Sequence, residues 1–419
     1  LRYRTESGSV EFDYAGFAHW WNKSLEEYEA NGITPDYMTI QNEPNYEDTW
    51  ETCLLDPTET INSSDTIAGY NKALDAVYDT LATRADRPLI LGPETVGIDY
   101  NNVENYVNAL DLSKLDGISH HLYHGVDEHN PYASTNFSKV GDFYPELPHF
   151  QTEYSRGDWF SLAGLIYKSF YDERVVAYLY WDLIWNEGGL VQIDNPWNSS
   201  DWALPGGYIR TKDFYAFKQF SAFIHPGWTM IQHSLSAADG AALTFLSPTG
   251  DSATCVVINR STTNALSVKL SIPGFRIHES AIYATSESKN CEWEGPLMDS
   301  LLILEPHSIS TVDMRLMAYD PAEDTQAPTV PTDVQIHSNT SNSLTVAWNG
   351  SRDDIGMDRY NIYVDGLLAG STSDTLFEIS GLVPNVSYEI QITALDKAGN
   401  ESGTSESVFG MIRYTDTLA

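Results

Sequence analysis

The chain has 419 residues, with 59 acidic against 23 basic side chains and a formal net charge of −36. That balance excludes nucleic acid as a partner, because phosphate binding needs basic patches, and no apolar run approaches the length of a membrane span. The length asks for two or three domains, and 42% hydrophobic residues allow each a core.

Apolar periodicity predicts an amphipathic helix over 13–32, stopped at Asn31-Gly32. Met38 and Ile40 then alternate with Thr39 and Gln41 in a short strand that Pro44 ends, since proline gives the ladder no N–H donor. Asn42 and Glu43 therefore stand at the strand's C-terminal lip. A loop over 45–64 carries Tyr46 and Trp50, and a helix near 65–85 opens on Ser64 or Asp65. Strands at 88–92, 117–123, 149–154 and 175–181 follow, with helices at 101–110, 160–173 and 211–224. Strand and helix alternate five times, the pattern of a parallel α/β barrel.

The 149–154 strand also ends in a carboxylate, Glu153. Barrel strands carry catalytic groups at their C-terminal ends, and two glutamates placed there are the parts needed for glycoside cleavage. One protonates the leaving oxygen, and the other attacks the anomeric carbon or activates water. The 11 Trp and 25 Tyr residues suit a protein that stacks sugars. Trp181, at the lip of the 175–181 strand, is the first choice for the stacking floor. Tyr46, Trp50, Trp159, Trp185 and Trp197 on neighbouring loops are further candidates, with loop packing as the competing use. Glu94 reads as a structural hydrogen-bonder. His120, His121 and His124 come from one strand, with no carboxylate at a helical offset, and read as satisfied structural histidines. No metal or other cofactor is expected.

Six motifs carry a resemblance: I-Q-N-E-P-N-Y-E (40–47), G-P-E (92–94), H-L-Y-H-G (121–125), T-E-Y (152–154), Y-L-Y-W-D (178–182) and F-S-A-F-I-H-P-G-W (220–228). In order and spacing, residues 1–316 resemble glycoside hydrolase family 30, and its bacterial xylanase subfamily in particular. The resemblance implies a secreted, monomeric, retaining endo-β-1,4-xylanase acting on plant-wall xylan. Glu43 is then the general acid/base and Glu153 the nucleophile, with carboxyls about 5–5.5 Å apart. Asn42 is expected to bond the sugar 2-hydroxyl, and Tyr123 to donate to Glu153. Two alternatives are another β-glycanase of the family, acting on β-glucan or β-1,6-galactan, and a non-catalytic glycan-binding fragment. The implied fold is a (β/α)8 barrel represented by its strands four to eight. Leu1-Arg2-Tyr3 reads as the middle of a domain, with no initiator Met or signal peptide and about three βα units expected before it. One departure stands out. Glucuronoxylan-specific members place an arginine in the loop after strand eight, where this chain has Asp182-Leu183-Ile184-Trp185-Asn186-Glu187-Gly188-Gly189. Dependence on glucuronate branches is therefore not expected; Arg156 on another loop is a candidate substitute, with a surface ion pair its ordinary use.

The barrel portion runs over 1–225. Short alternating runs over 226–316 predict an antiparallel β side domain. A proline-bearing acidic linker covers 317–327, and 328–413 resembles a fibronectin type III sandwich. There Trp348 is the expected core tryptophan and Tyr388, after Leu382, the expected tyrosine corner. Cys255 and Cys291 fall in one β region and are candidates for a disulfide, leaving Cys53 free.

Overall fold

A computed structural model describes residues 3–6, 9–49, 52–62, 66–186, 188–193, 207–318, 324–353 and 356–412. Its N-terminal part is ordered around five parallel strands: β1 (Tyr37–Thr39), β2 (Leu89–Thr95), β3 (Gly117–His121), β4 (His149–Glu153) and β5 (Ala177–Tyr178). They lie side by side in the order β5-β4-β3-β2-β1. The sheet is half of a curled β/α barrel, with helices between successive strands. Residues at all five positions of β3 are buried, as expected for a parallel strand covered on both faces. Side chains alternate along it, so Ser119 and His121 share one face and Ile118 and His120 the other.

The first helix, α1 (Tyr14–Ala30), starts where the Asp13 carboxylate accepts from Gly16 N at 2.8 Å and stops at Asn31. Gly32 follows at φ +79°, the left-handed geometry in which glycine carries no Cβ penalty. The helix expected near 65–85 is shorter. Thr66–Gly69 forms a strand against Leu55–Asp56 and Thr60–Ile61, and the helix proper, α2, is Tyr70–Leu81. Ser64 and Asp65 lie outside the described residues. The helix after β4, α5 (Trp159–Lys168, following α3 at Tyr100–Val107 and α4 at Asn136–Phe143), continues into a π-helical turn, Ser169–Glu173. The named ladder of β5 is short. Even so, the amides of Val176, Leu179 and Trp181 donate to the carbonyls of His149, Gln151 and Tyr154, so the edge tracks β4 as far as Trp181.

After α6 (Lys212–Ser221) comes a six-stranded antiparallel sheet. Its residues Leu243, Phe245, Val256, Ile258 and Ile309 share a buried cluster with Trp159, Leu162, Ile166, Ala216 and Phe220 from α5 and α6. This cluster joins the half-barrel to the side sheet. The Cys255–Cys291 disulfide does not form, and both thiols are free and buried. Cys255 lies on Ser252–Asn259 and Cys291 on Asn290–Gly295, with two strands of the same sheet between them. Three steps of about 4.8 Å separate them by roughly 14 Å, about twice the reach of a disulfide.

The C-terminal sandwich packs a three-stranded sheet on a four-stranded one. Trp348 is buried between them, edge-on to Tyr360 at 5.3 Å. The Tyr388 hydroxyl accepts from the backbone N–H of Val383 at 2.8 Å, the hydrogen bond that makes a tyrosine corner.

Candidate active site

The C-terminal ends of the parallel strands converge on one imidazole. His121, the last residue of β3, is fully buried. Its Nδ1 lies 2.9 Å from Glu43 Oε1, and its Nε2 lies 3.3 Å from Glu94 Oε1 and 3.8 Å from Glu153 Oε2. Glu43 follows β1, Glu94 belongs to β2 and Glu153 ends β4, so four neighbouring strands contribute. Glu43 and Glu94 both sit in left-handed backbone, at φ +46° and +63°. For a non-glycine residue such geometry costs on the order of 1–3 kcal/mol. It is held here by a hydrogen bond from Glu43 N to Glu94 O at 3.1 Å.

Both ring nitrogens of His121 face carboxylate oxygens, so both carry protons. Burial opposes the charged ring, but hydrogen bonds to Glu43 and Glu94, with the charges of Glu94 and Glu153, outweigh it and lift its pKa to about 9. Glu153 is pushed up by burial, against the pull of His121 and of the Tyr123 hydroxyl, which donates to its Oε1 at 3.1 Å. Burial also raises the Tyr123 phenol, which keeps it protonated and able to donate. Glu43, His121 and Glu153 each place a polar atom within 4.8 Å of the others. A doubly protonated imidazole has no lone pair for a metal ion, so this grouping is suited to proton chemistry.

The other expected residues are dispersed. Asn42 is exposed at the lip, lining an open cavity of about 690 Å³ with Phe17, Trp20, Trp21 and Gln41. Tyr46 is half-buried, donates to Asp48 at 2.7 Å and meets His124 edge-on at 6.3 Å. Trp181 is 53% exposed at the end of the β5 edge. Trp185 is half-buried on a two-residue strand, Ile184–Trp185. Trp159 is not available to a sugar: it is 7% exposed, packed on Phe160 and His307 in the core between half-barrel and side sheet. Trp50, Trp197 and Glu187 lie outside the described residues. Arg156 does not form a surface ion pair among the described residues. Its guanidinium lies 4.9 Å from the Tyr123 ring centroid, a cation–π contact. His121 and Glu94 are the residues that sequence reasoning placed outside the site.

Comparison with known proteins separates two parts of the chain. Residues 329–410 match the family profile of the fibronectin type III domain. The C-terminal sandwich is a fibronectin type III domain. Over 88 residues the chain is 44% identical to Chitinase A1 of Niallia circulans, and over another 88-residue match it is 38% identical to a chitinase of Paenibacillus xylanexedens. Each match covers 21% of this chain, and the chain spans only 13% and 17% of those relatives' lengths. Larger coverage comes from solved structures. A family 30 endoxylanase from Clostridium papyrosolvens covers 75% of this chain and is itself 76% covered, at 18% identity and a TM-score of 0.54. A family 30 subfamily 8 xylanase from Clostridium acetobutylicum gives 16% identity and a TM-score of 0.56 over 74% of each chain. A conserved exported protein from Bacteroides fragilis gives a TM-score of 0.57 at 16% identity, over 73% of this chain and 70% of its own. The part preceding the fibronectin domain thus shares the fold of family 30 glycoside hydrolases.

Proposed function

We propose that the protein is a retaining endo-β-1,4-xylanase of glycoside hydrolase family 30. Glu153 is the nucleophile, Glu43 the general acid and then base, and no cofactor takes part. The observation that carries this reading is the approach of Glu43 and Glu153 across His121, with polar atoms within 4.8 Å. So close an approach of one oxygen from each carboxyl supports the about 5–5.5 Å carboxyl separation of a retaining site over the about 6.5–9.5 Å of an inverting one.

In the first step the Glu153 carboxylate attacks the anomeric carbon while Glu43 protonates the departing oxygen. The C–O bond breaks as the glycosyl–enzyme bond forms. Glu43, now ionised, next takes a proton from water, which attacks the anomeric carbon and releases Glu153. Tyr123 donates to Glu153 Oε1, which favours the ionised nucleophile before attack and the leaving carboxylate afterwards. Asn42 would bond the 2-hydroxyl, and Trp181 would provide the apolar floor. Tyr46 and Trp185 are further contacts along the cleft. The acidic segment after β5 supports hydrolysis without a glucuronate branch. The fibronectin domain acts as a spacer or weak wall-binding module on an exported, monomeric enzyme.

The test is product release from xylan, β-glucan and β-1,6-galactan by the natural full-length protein, with the anomer formed first read by NMR. Xylo-oligosaccharides with retained β-configuration are expected. Release from one of the other polymers alone would move the enzyme within its family. Binding to xylan with no new reducing ends would make it a glycan-binding module.

A further inference from the structure

The arrangement of three carboxylates around one buried imidazole goes beyond the two groups that the proposed reaction requires. Glu94 neither donates a proton nor attacks in that reaction, yet it is 6% exposed and turned toward the same ring, with Oε2 buried and unpartnered. His121 uses Nδ1 on Glu43 Oε1, which leaves the other oxygen of Glu43 for the substrate. Its opposite nitrogen lies between Glu94 and Glu153. An isolated cation sealed in a protein interior is costly, and a neighbouring anion offsets that cost. Glu94 supplies it from β2.

We propose that His121 and Glu94 form a positioning pair: His121, kept doubly protonated by Glu94, holds the Glu43 carboxyl in its reactive orientation and separates it electrostatically from Glu153. This rests on the assignment of Glu43 and Glu153 made above. The groups facing His121 can be named strand by strand. They are Glu43 after β1, Glu94 on β2, His120 and Tyr123 on and after β3, and Glu153 on β4, with Tyr70 of α2 behind Glu94. Tyr70 and Tyr123 are held protonated, the first mainly by its complete burial. His120 points to the other face of the sheet. The charge at the centre also weighs against that of His120, but the hydrogen-bonding partners of the His121 ring are carboxylates.

The pair makes a prediction with two signs. Removing the central cation leaves Glu43 and Glu153 repelling each other, which makes both carboxyls weaker acids and moves both limbs of the pH–rate profile upward. Removing Glu94 takes away one repelling anion, so the acidic limb moves downward. The ring then loses its proton at lower pH, so the alkaline limb moves downward too. Each displacement should be about one pH unit, the lower end of what a charge within 4–6 Å produces.

The experiment uses His121→Asn, which can retain an N–H toward Glu43 without charge, and Glu94→Gln, which keeps the shape of the carboxyl. For both, kcat and kcat/KM are measured on xylo-oligosaccharides across pH, with imidazole titration followed by ¹⁵N NMR of histidine-labelled protein. We expect kcat to fall on the order of a hundredfold in His121→Asn with KM little changed. The profiles should move in opposite directions, and the His121 titration should fall from its alkaline value in Glu94→Gln. Parallel displacements, or an unmoved His121 titration, would overturn the proposal even in an active enzyme. A wild-type protein without hydrolase activity would instead remove the underlying assignment, and the NMR titration would still decide whether Glu94 holds the proton on His121. If His121→Asn fails to fold, the Glu94→Gln titration and profile decide alone.

Discussion

Two adjacent residues of β3 place the same side chain in opposite settings. His121 faces the cleft, where three carboxylates share one imidazole and the Glu43 and Glu153 side chains remain 17% and 19% exposed. His120 faces the helical layer, where the ratio is reversed. Its Nε2 lies 2.7 Å from Glu173 Oε1, and His149 Nδ1 approaches the same oxygen at 3.3 Å. The remaining nitrogens meet backbone carbonyls, His121 O at 2.8 Å and Tyr144 O at 3.1 Å. The Glu173 side chain is completely buried, at the end of the π-helical turn. The inner cluster has surplus negative charge and an open side, so its protons can pass to and from a bound molecule. The outer one is sealed, and its charges serve only each other. Composition alone would not distinguish them; the number of anions per ring and the access to solvent do.

The sharpest way to break the comparison is to disable the inner face while leaving the outer one intact. Glu153→Gln removes the nucleophile and should lower turnover on every substrate by about four orders of magnitude or more. Glu43→Gln should cost roughly 10²–10⁴ on xylan but little on aryl glycosides whose leaving groups need no proton. Equal losses for both variants on an aryl glycoside would contradict the assignment. Neither change should alter the unfolding midpoint by much, because both side chains are reached by water.

The outer face should respond in stability instead. Glu173→Gln leaves His120 charged without its partner, at a cost of about 3–5 kcal/mol, read in denaturant unfolding. The sign with pH follows from the shifts. Burial works against the His120 charge, but Glu173 outweighs it and raises the pKa above the unfolded 6.5; that contribution is complete below 6.5 and is lost as pH rises through the higher folded value. Burial likewise opposes the Glu173 charge, but His120 and His149 depress its pKa below the unfolded 4.5. Its contribution is present above 4.5 and is lost as pH falls through the lower folded value. Wild-type stability should therefore peak in mildly acidic solution, and the peak should flatten in Glu173→Gln. A peak unchanged by the substitution would show that the outer pair is not its source.

Much of this was legible in sequence. Apolar runs ending in Glu43 and Glu153 marked the strands and the two carboxylates, and the Asn31-Gly32 stop and the Trp348 and Tyr388 positions were also readable locally. What sequence could not supply was register between strands. Period-two alternation puts His121 on the face of Ser119 and Tyr123 and His120 on the other, but only the pairing of β3 with β2 and β4 brings Glu94 and Glu153 alongside. Cys255 and Cys291 failed for the same reason, since strand order within the side sheet is non-local. Trp159 failed because the core between half-barrel and side sheet is built from segments far apart in the chain.

Tryptophan offers a milder version of the same contrast. Trp181, exposed at the lip, should matter to substrate and not to folding. Trp181→Ala should raise KM about fivefold, the loss of roughly 1 kcal/mol of ring stacking, with an unchanged melt. Trp159→Ala should leave KM alone and cost about 3–5 kcal/mol of stability by opening a cavity. Exchange of these two outcomes would place the sugar floor elsewhere.

The smallest expected effect concerns branched substrates. A carboxylate branch gripped by a charge-assisted contact gains about 1.5–3 kcal/mol, roughly tenfold or more in rate. Residues 182–189, directly after Trp181, provide no arginine for that contact, and Asp182 is held partly buried there. Arg156 is an alternative from another loop, but its guanidinium already lies over the Tyr123 ring, and Arg210, later in the segment after Trp181, lies over the Phe214 ring at 5.5 Å. Comparable kcat/KM, within about threefold, is therefore expected on arabinoxylan, glucuronoxylan and unbranched xylo-oligosaccharides, because the tenfold term is missing. Arg156→Gln should leave the ratios between them unchanged, even if it lowers all three by loosening Tyr123. Product masses on glucuronoxylan give the decisive reading. A ladder in which each product carries one branch at a constant position, collapsing in Arg156→Gln, would show that this arginine leaves Tyr123 to bind the branch.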